Sequence, residues 1–303
     1  MIVSDLAGTD VQLGPHTAVL TGVAAGKYPD GNSTLVRGSE ASILIDPSLT
    51  VHARGGVPGV DRVLISHAHE DHIAGLAATA APHVHAHHDD VHGVRSLEGL
   101  LSIYGLPLDD AAEFAANLRD DFHIGDTPGV TGFADGDVFD LGGVTVRVLH
   151  LPGHTRGHSA FVVEPDGVAF VGDVDLSSFG PYYGDHWSDL EDFVASIDRV
   201  RSLDAAHYVT FHHKGVVSGR AEFVRQLDAF ASVIDQRDER LVAMLDRPRS
   251  LDELVEVGIV YRPGTRPPHF GDSVERRTIE LHLARLQRDG AVTVDDAGSY
   301  LVP

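Results

Sequence analysis

Three histidines and an aspartate stand within six residues of this 303-residue chain. His67, His69, Asp71 and His72 directly follow the apolar run 63–65. Neutral imidazole nitrogens and carboxylate oxygens suit zinc, manganese or iron, and a catalytic zinc site keeps one position open for water. The spacing H-x-H-x-D-H therefore predicts a divalent-metal site. The alternative is a surface cluster in a chain that holds 20 histidines.

The elements around these residues must bring them together. If the strand ends near Ser66, the segment 67–72 forms a strand-to-helix turn, on which the first two histidines face one point while Asp71 and His72 face another. One turn can therefore serve two metals. Three later strand-like runs also end at metal-capable residues, namely His154, Asp173 and the pair His212 and His213. Each of these strands is expected to deliver one ligand at the same end.

Four motifs in this order resemble the metallo-β-lactamase superfamily, over roughly residues 15 to 230. They are H-x-H-x-D-H at 67–72, Gly153-His154-Thr155 followed by Gly157, Gly172-Asp173, and a late His after a strand. The resemblance implies an α+β fold with four αββα layers, in which two mixed sheets pack face to face with helices outside. The metals would lie at one edge of this sandwich.

The resemblance also implies seven protein ligands for two divalent metal ions, with zinc as the expected metal and iron or manganese as alternatives. Three histidines would hold the first ion, an aspartate and two histidines the second, and Asp173 would bridge them. The implied ligands are His67, His69, Asp71, His72, His154, Asp173 and His213. His213 is favoured over His212 because the stretch Phe-His-His-Lys, placed against the family's Pro-Gly-His-Gly, aligns it with the ligand. Strand alternation lets only one of two neighbours face the metals.

The implied activity is that of a dinuclear metal-dependent hydrolase. A hydroxide that bridges the metals would attack an ester, thioester or lactone-type small molecule. Asp71 is expected to be catalytic as well as a ligand, because it can orient the nucleophile and accept its proton, with His158 as a supporting partner. A phosphodiesterase or ribonuclease is the first alternative. A β-lactamase is less favoured, because β-lactamases that confer resistance usually carry Cys or another residue in place of Asp173. A structural metal site in a binding protein is the non-enzymatic alternative.

An aromatic loop at 177–187 follows the expected bridging aspartate. Its phenols could donate hydrogen bonds to a developing oxyanion, which makes Tyr182 or Tyr183 a candidate helper; aromatic packing under the loop is the equal alternative. With these two tyrosines, His158 and His212 complete the candidate substrate pocket.

Residues 89–135 are interpreted as a helical insertion, with helices at about 94–104 and 109–119. Leucines and Tyr104 form an apolar stripe on the first helix, which is usual for core contact. A lid over the metals is the alternative. The preceding strand-like run carries His85 and His87 on one face, and these are not expected to be ligands.

The chain is divided into a catalytic domain, 1–235, and a small winged-helix-like domain, 236–303. Short helices are predicted at 240–245, 251–257 and 274–288, followed by a hairpin of 292–294 with 300–302. Capping boxes are predicted at 250–253 and 272–275. The expected role of this module is to pack on the catalytic domain, cover substrate or form a homodimer surface. DNA binding is the alternative.

Composition limits the partners. The net charge is −22, which disfavours nucleic acid without ruling it out, because phosphate binding needs cations. The chain has no Cys, so the metals must be held by nitrogen and oxygen. Neither a signal sequence nor a long apolar run is evident, so a cytoplasmic protein with a small-molecule substrate and no membrane contact is expected.

Overall fold

The computed structural model describes residues 9–262, 264–267 and 270–303. Its first sheet has seven strands in sequence order. They are β1 Val11–Gln12, β2 Thr17–Leu20, β3 Ser33–Arg37, β4 Ser42–Ile45, β5 Arg62–Ile65, β6 His83–His87 and β7 Thr131–Phe133. Strands β1 to β4 pair antiparallel, whereas β4 to β7 run parallel. The parallel strands point their carboxyl ends, including the end of β5, to the same edge.

The second sheet has six strands in the order β13-β12-β11-β10-β9-β8. They are β8 Val138–Asp140, β9 Thr145–His150, β10 Ser159–Glu164, β11 Val168–Phe170, β12 His207–Val209 and β13 Val216–Ser218. Only β11 and β12 are parallel, and both end just before the predicted ligand positions.

A core of buried side chains joins the two sheets face to face. Val36 and Ile43 of the first sheet meet Val148 and Phe161 of the second, and none of the four is exposed. Each such side chain contributes roughly 1.5–3 kcal/mol when buried. Alternate residues on the outer faces pack on helices, which gives each sheet a second core. The predicted sandwich of two mixed sheets with helices outside is therefore confirmed.

Helices cover both outer faces. On the first sheet lie α1 Leu49–Ala53, α2 Glu70–Ile73, the 3-10 turn Leu76–Ala78, α3 Val91–Arg95, α4 Leu97–Tyr104 and α5 Leu108–Asp120. On the second lie α6 Leu190–Arg201 and α7 Arg220–Met244. Within the described part of the chain, no helix combines the length and apolar character needed to cross a membrane.

The insertion differs from the prediction at two points. The expected helix 94–104 is interrupted at Ser96, which is extended and accepts a hydrogen bond from the Gly99 amide as the N-cap of α4. Residues 131–133, placed in the insertion by the sequence, instead form β7 of the first sheet. The structural insertion is thus the helical segment α3 to α5.

The C-terminal segment has its own small core, formed by α7, α8 Leu251–Val257 and α9 Gly271–Arg288. A hairpin of β14 Thr293–Val294 and β15 Tyr300–Leu301 follows. The helix expected at 240–245 is the end of the continuous helix α7, which also crosses the predicted boundary at 235. The winged-helix interpretation of this segment stays a prediction.

Of the two predicted capping boxes, the one at Ser250 and Glu253 is confirmed. The second is wrong: α9 begins at Gly271 without a side-chain cap. The Glu275 carboxylate instead accepts backbone N–H groups of Ile259 and Tyr261. These contacts bind α9 to the chain that follows α8.

Candidate metal centre

The turn between β5 and α2 places two imidazoles against a third from the second sheet. The Nε2 atom of His67 lies 3.0 Å from Nδ1 of His69 and 3.1 Å from Nε2 of His154. His69 has extended backbone as the residue before α2, whereas His154 lies on the loop between β9 and β10. Three ring nitrogens from two sheets therefore converge on one point.

Three further metal-capable residues lie beside these three imidazoles. The His212 Nε2 atom is 2.9 Å from the Asp71 carboxylate, and the two residues group with His72. Asp173 lies between the groups, with Oδ2 3.4 Å from Nε2 of His154 and Oδ1 3.1 Å from Nε2 of His72. The arrangement provides three nitrogens on one side, two nitrogens and a carboxylate on the other, and a shared carboxylate.

In each of the five rings, one nitrogen points toward the other metal-capable atoms (the inner nitrogen) and the other points away from them (the outer nitrogen). Each outer nitrogen faces an oxygen atom, which fixes the direction of the ring. For His72, Nδ1 lies 2.7 Å from the buried Asp46 carboxylate. The full set of outer contacts is His67 Nδ1 to Ser66 Oγ 3.0 Å, His69 Nε2 to Asp185 Oδ2 2.9 Å, His72 Nδ1 to Asp46 Oδ2 2.7 Å, His154 Nδ1 to the Tyr182 carbonyl 2.8 Å and His212 Nδ1 to the Gly26 carbonyl 2.9 Å.

Carboxylate and carbonyl oxygens only accept hydrogen bonds, so each ring that faces one carries its proton on the outer nitrogen. Ser66 donates its own hydroxyl to Asp46, so its oxygen accepts from His67 in the same way. In a neutral imidazole the inner nitrogen then offers a lone pair. Metal-binding histidines are oriented in this manner by carboxylates and carbonyls behind them.

The inward atoms fit a cation. The atoms His72 Nε2, Asp71 Oδ2 and Asp173 Oδ1 are buried, and although His72 Nε2 lies 3.1 Å from Asp173 Oδ1 and Asp71 Oδ2 lies 2.9 Å from His212 Nε2, none of them makes a hydrogen bond of good geometry. Buried polar atoms without partners are costly, and a divalent ion between them would supply what they lack. The donor set is nitrogen and oxygen alone, which suits zinc, iron or manganese.

The electrostatic field at the centre is negative. Burial lowers the pKa of His72, but the carboxylates of Asp173 and Asp46 outweigh this and raise it well above its usual value. Asp173 and Asp71 likewise overcome burial and raise the pKa of His212 to about 10. By contrast, burial and its neighbouring imidazoles hold the pKa of His67 well below its usual value. Positive charge is thus drawn to the space around Asp173.

The choice of His213 over His212 as the last inward-facing residue is wrong in this geometry. Strand β12 ends at Val209, so the alternation used for that choice no longer applies at 210–213. His213 adopts a left-handed backbone conformation, with φ of 58°, and its side chain is 38% exposed. Its Nε2 atom lies 3.8 Å from Asp175, at the wall of the adjoining cavity, while His212 joins Asp71 and His72.

Two residues assigned to the substrate pocket lie elsewhere. His158 is fully buried, donates from Nδ1 to the Leu151 carbonyl at 3.1 Å and accepts the Asp173 amide on Nε2 at 3.1 Å. Burial lowers its pKa to about 3, so it stays neutral and positions the Asp173 backbone. The buried Tyr183 hydroxyl lies 2.8 Å from Nε2 of His282 on α9, away from the cavity.

A cavity of about 350 Å³ opens beside the metal-capable residues. Tyr182 lines it, as expected, and donates its hydroxyl to Asp185 at 2.9 Å. The inserted helices contribute Tyr104 and Phe114, and the C-terminal segment contributes Tyr261 and Phe270. The apolar stripe of α4 packs in the core of the first sheet, as predicted, and its last residue, Tyr104, also reaches the cavity.

Sequence reasoning missed several residues of the site. Glu70, inside the motif itself, accepts hydrogen bonds from the hydroxyls of Tyr28 and Tyr104. Asp46 follows β4, and Asp185 belongs to the aromatic loop; both face rings of the cluster. A polar residue directly after an apolar strand was the available signal for Asp46. Nothing local in the sequence marks the pairing of Asp185 with His69.

The sequence model of the metallo-beta-lactamase superfamily matches residues 28–213. The chain therefore belongs to this superfamily. It is a metal-dependent hydrolase, as its family and its hydrolase relatives show.

Relatives and solved structures agree with this assignment. The chain is 30% identical over 205 residues to a hydroxyacylglutathione hydrolase of Acidiphilium cryptum, covering 66% of this chain and 70% of that protein. It is 20% identical over 237 residues to a beta-lactamase-like protein 2 homolog of Drosophila melanogaster, covering 78% and 71%. The fold matches the crystal structure of a metallo-beta-lactamase family protein from Thermus thermophilus with a TM-score of 0.70, at 22% identity, over 96% of this chain and 100% of that one.

Proposed function

We propose that this protein is a dinuclear metal-dependent hydrolase that acts on small-molecule thioesters or related esters. The observation that carries the proposal is the orientation of five imidazoles, each with its outer nitrogen against an oxygen and its inner nitrogen toward the other metal-capable atoms of the centre. The substrate class is supported by the hydroxyacylglutathione hydrolase relative, whose name denotes a glutathione thioester.

Seven residues would hold two divalent ions, for which zinc is the expected metal. Three histidines would hold one ion and Asp71 with two histidines the other, while Asp173 would touch both. The proposed ligands are His67, His69, His154, Asp71, His72, His212 and Asp173. When bound, such ions polarise a carbonyl and lower the pKa of water toward neutrality.

The protein's own groups then have separate tasks. Interactions with His72 and His212 overcome burial and lower the pKa of Asp71, so its carboxylate is ionised at neutral pH and can orient an attacking water. Through the Asp173 amide, His158 holds the shared carboxylate in place. The cavity walls bring the substrate carbonyl to the metal-capable residues and exclude bulk water.

A phosphodiester or nucleic-acid substrate fits this site less well. No Lys or Arg occurs among the described residues that line the cavity, whereas Glu70, Asp175 and Asp185 do. Phosphate binding relies on cations, so these walls favour a neutral carbonyl substrate. We retain the winged-helix-like interpretation of residues 236–303 as a module that covers the substrate, since Tyr261 and Phe270 reach the cavity.

The test combines metal analysis with a substrate panel. Purified protein of known metal content is assayed against thioesters, a lactone, bis(p-nitrophenyl) phosphate and single-stranded RNA. We expect two divalent ions per chain and turnover of thioesters. Asp71→Ala and His154→Ala should each lose metal and lower kcat/KM by more than about 100-fold.

Val138→Ala serves as a matched control, because Val138 is an exposed residue of β8 that does not line the cavity. Turnover confined to the phosphodiesters would refute the substrate class. Full activity and intact metal content in Asp71→Ala would refute the assignment of the centre.

A further inference from the structure

The cavity beside the metal-capable residues is walled mainly by aromatic rings: seven of its lining residues are Tyr or Phe. They come from separate parts of the chain, including Tyr28 before β3, Phe114 on α5 and Phe179 in the aromatic loop. Resting on the proposed thioesterase function, we propose that this cavity selects an uncharged aromatic or broad apolar acyl group and rejects an anionic one.

The phenol hydroxyls of three lining tyrosines are already engaged by carboxylates. Glu70 accepts from Tyr28 at 3.0 Å and also from Tyr104, and Asp185 accepts from Tyr182 at 2.9 Å. These three hydroxyls are therefore turned away from a ligand, and the surfaces that these residues leave for contact are ring carbons. A substrate group packed there gains apolar burial with little scope for new hydrogen bonds.

The same contacts occupy the two carboxylates. Glu70 has one hydroxyl on each oxygen, while Asp185 has Tyr182 on one oxygen and His69 at 2.9 Å from the other. Both residues are buried, with 6% and 2% of their surface exposed. They hold the aromatic wall in place and are themselves faced by protein groups.

The aromatic surface begins at the metal-capable residues themselves. The Tyr104 ring stacks on His69, with 5.4 Å between ring centroids and 20° between planes. Phe114 meets Tyr104 edge to face at 5.0 Å, and Phe270 lies 6.2 Å beyond Phe114. A substrate whose carbonyl lies beside His69 would therefore place its adjoining acyl group against these rings.

An anionic acyl group would find no lysine or arginine to pair with in the described part of this cavity. Asp175 adds a further carboxylate to the wall. The nearby Arg237 is only 3% exposed and lies under Phe179, donating to the backbone carbonyls of Pro181 and Phe179. It supports the wall from behind. A carboxylate packed against these rings would be desolvated without an ion pair to Lys or Arg.

A binding comparison tests the inference independently of turnover. Calorimetry with the metal-loaded protein compares two thioethers of N-acetylcysteamine that cannot be hydrolysed, S-phenethyl and S-(3-carboxypropyl). We expect the phenethyl compound to bind at least about tenfold more tightly, as differences in apolar contact commonly give. Equal or tighter binding of the carboxylate would overturn the inference.

A kinetic comparison uses thioesters of the same thiol, with phenylacetyl and succinyl groups. The phenylacetyl ester should have a kcat/KM at least about tenfold higher. Turnover of both esters at equal rates would overturn the acyl preference and leave the thioesterase proposal standing. Absence of thioester turnover with both metals bound would refute the proposed function, while the thioether comparison would still decide the character of the cavity.

The variant Phe179→Lys introduces a cation at the wall. Phe179 is 37% exposed, so a lysine can be accommodated there without burying its charge. We expect the preference for the phenethyl over the carboxypropyl thioether to fall by about tenfold. Val138→Lys makes the same kind of change on exposed β8, outside the cavity, and should leave the ratio unchanged. An unchanged ratio in Phe179→Lys would count against the inference.

Discussion

Among the residues that the structure describes, two separate clusters of histidines and aspartates have metal-capable atoms within reach of one another, yet the rings of the two clusters differ in orientation. One is the centre around Asp173, and the other consists of His87 at the end of β6, Asp89 and His150 at the end of β9. In the centre, the His67 ring stands nearly perpendicular to those of His69 and His154, at 82° and 77°. In the second group, His87 and His150 stack in parallel, with 3.8 Å between centroids and 10° between planes.

This difference decides where lone pairs point. An imidazole lone pair lies in the plane of its ring, so parallel stacked rings cannot aim at one ion without rotating, whereas perpendicular rings can converge. The His150 Nε2 atom also faces the Arg156 carbonyl at 2.8 Å, and His87 Nδ1 accepts the Asp89 amide at 3.3 Å. We therefore interpret the second group as packed histidines. Residue type and proximity do not make a metal centre unless hydrogen-bond acceptors on the outer nitrogens hold the rings so that their inner nitrogens converge.

The largest effect on metal content and activity is expected when one imidazole is removed from each of the two groups. His212→Ala should lose metal and lower kcat/KM by more than about 100-fold, because His212 faces Asp71 and the shared carboxylate. His150→Ala should change neither. Metal content by mass spectrometry and thioester kinetics provide the measurements.

His213→Ala is the sharper control for the same prediction, because it is the neighbouring residue of the same type. Its side chain is more exposed and lies at the cavity wall, so a change in kcat/KM of less than about tenfold and unchanged metal content are expected. Loss of metal in His213→Ala but not in His212→Ala would reverse the assignment made from the geometry.

The positions of most inward-facing residues could be predicted from the sequence because they follow local rules. His67 and Asp173 come shortly after apolar strands, and strand ends at one edge of a sandwich meet in space. Where the chain leaves regular structure the rules fail: His213 lies in a turn with positive φ, and alternation has no meaning there. The break in the inserted helix did have a local signal, since Ser96 is a favourable N-cap.

The oriented surroundings of the centre could not be predicted in this way. Glu70 pairs with Tyr28 and Tyr104, which lie 42 and 34 residues away, and Asp185 reaches His69 across a much longer separation. No spacing rule joins such residues, because their contact depends on how α4 and the aromatic loop pack over the sheet edge. The ligand types were therefore predictable, while the groups that orient them and shape the cavity were not.

A smaller effect is expected from the carboxylate behind His69. Asp185→Asn keeps the shape of the side chain but removes the charge that faces His69 Nε2 at 2.9 Å. Metal affinity or activity should fall by about 10–100-fold, as is usual when such supporting groups are changed. Competition with a chromophoric chelator measures the affinity.

Asp89→Asn is the matched change in the second group, where the Asp89 carboxylate lies 3.4 Å from His87 and is 56% exposed. It should leave metal affinity at the wild-type value. Equal losses in both variants would mean that orientation from behind does not separate the two groups, and would remove the distinction drawn between them.

The smallest effect concerns the pH dependence of stability in the second group. Burial is the main cause that lowers the pKa of His87 to about 4, and the neighbouring His150 lowers it further, although Asp89 acts in the opposite direction. An unfolded histidine titrates near 6.5, so between about pH 6.5 and 4 the unfolded chain binds a proton at this position more readily than the folded one. Folding stability is therefore expected to fall as the pH is lowered through this window.

His87→Phe retains a flat ring that can stack on His150 but cannot titrate. Between pH 7 and 5, the wild type should lose on the order of 1 kcal/mol more of its free energy of unfolding than the variant does, as measured by urea denaturation. Titration of the metal centre contributes equally to both proteins and cancels in this difference.

A bound cation shared by His87 and His150 would contradict this interpretation. In that case, in proteins whose main centre is weakened by His154→Ala, added zinc would stabilise the chain that keeps His87 but not the chain that also carries His87→Phe. If the two imidazoles are stacked and bind no metal, zinc should not stabilise the protein selectively through His87, and the stability of the wild type should depend more steeply on acid pH than that of His87→Phe.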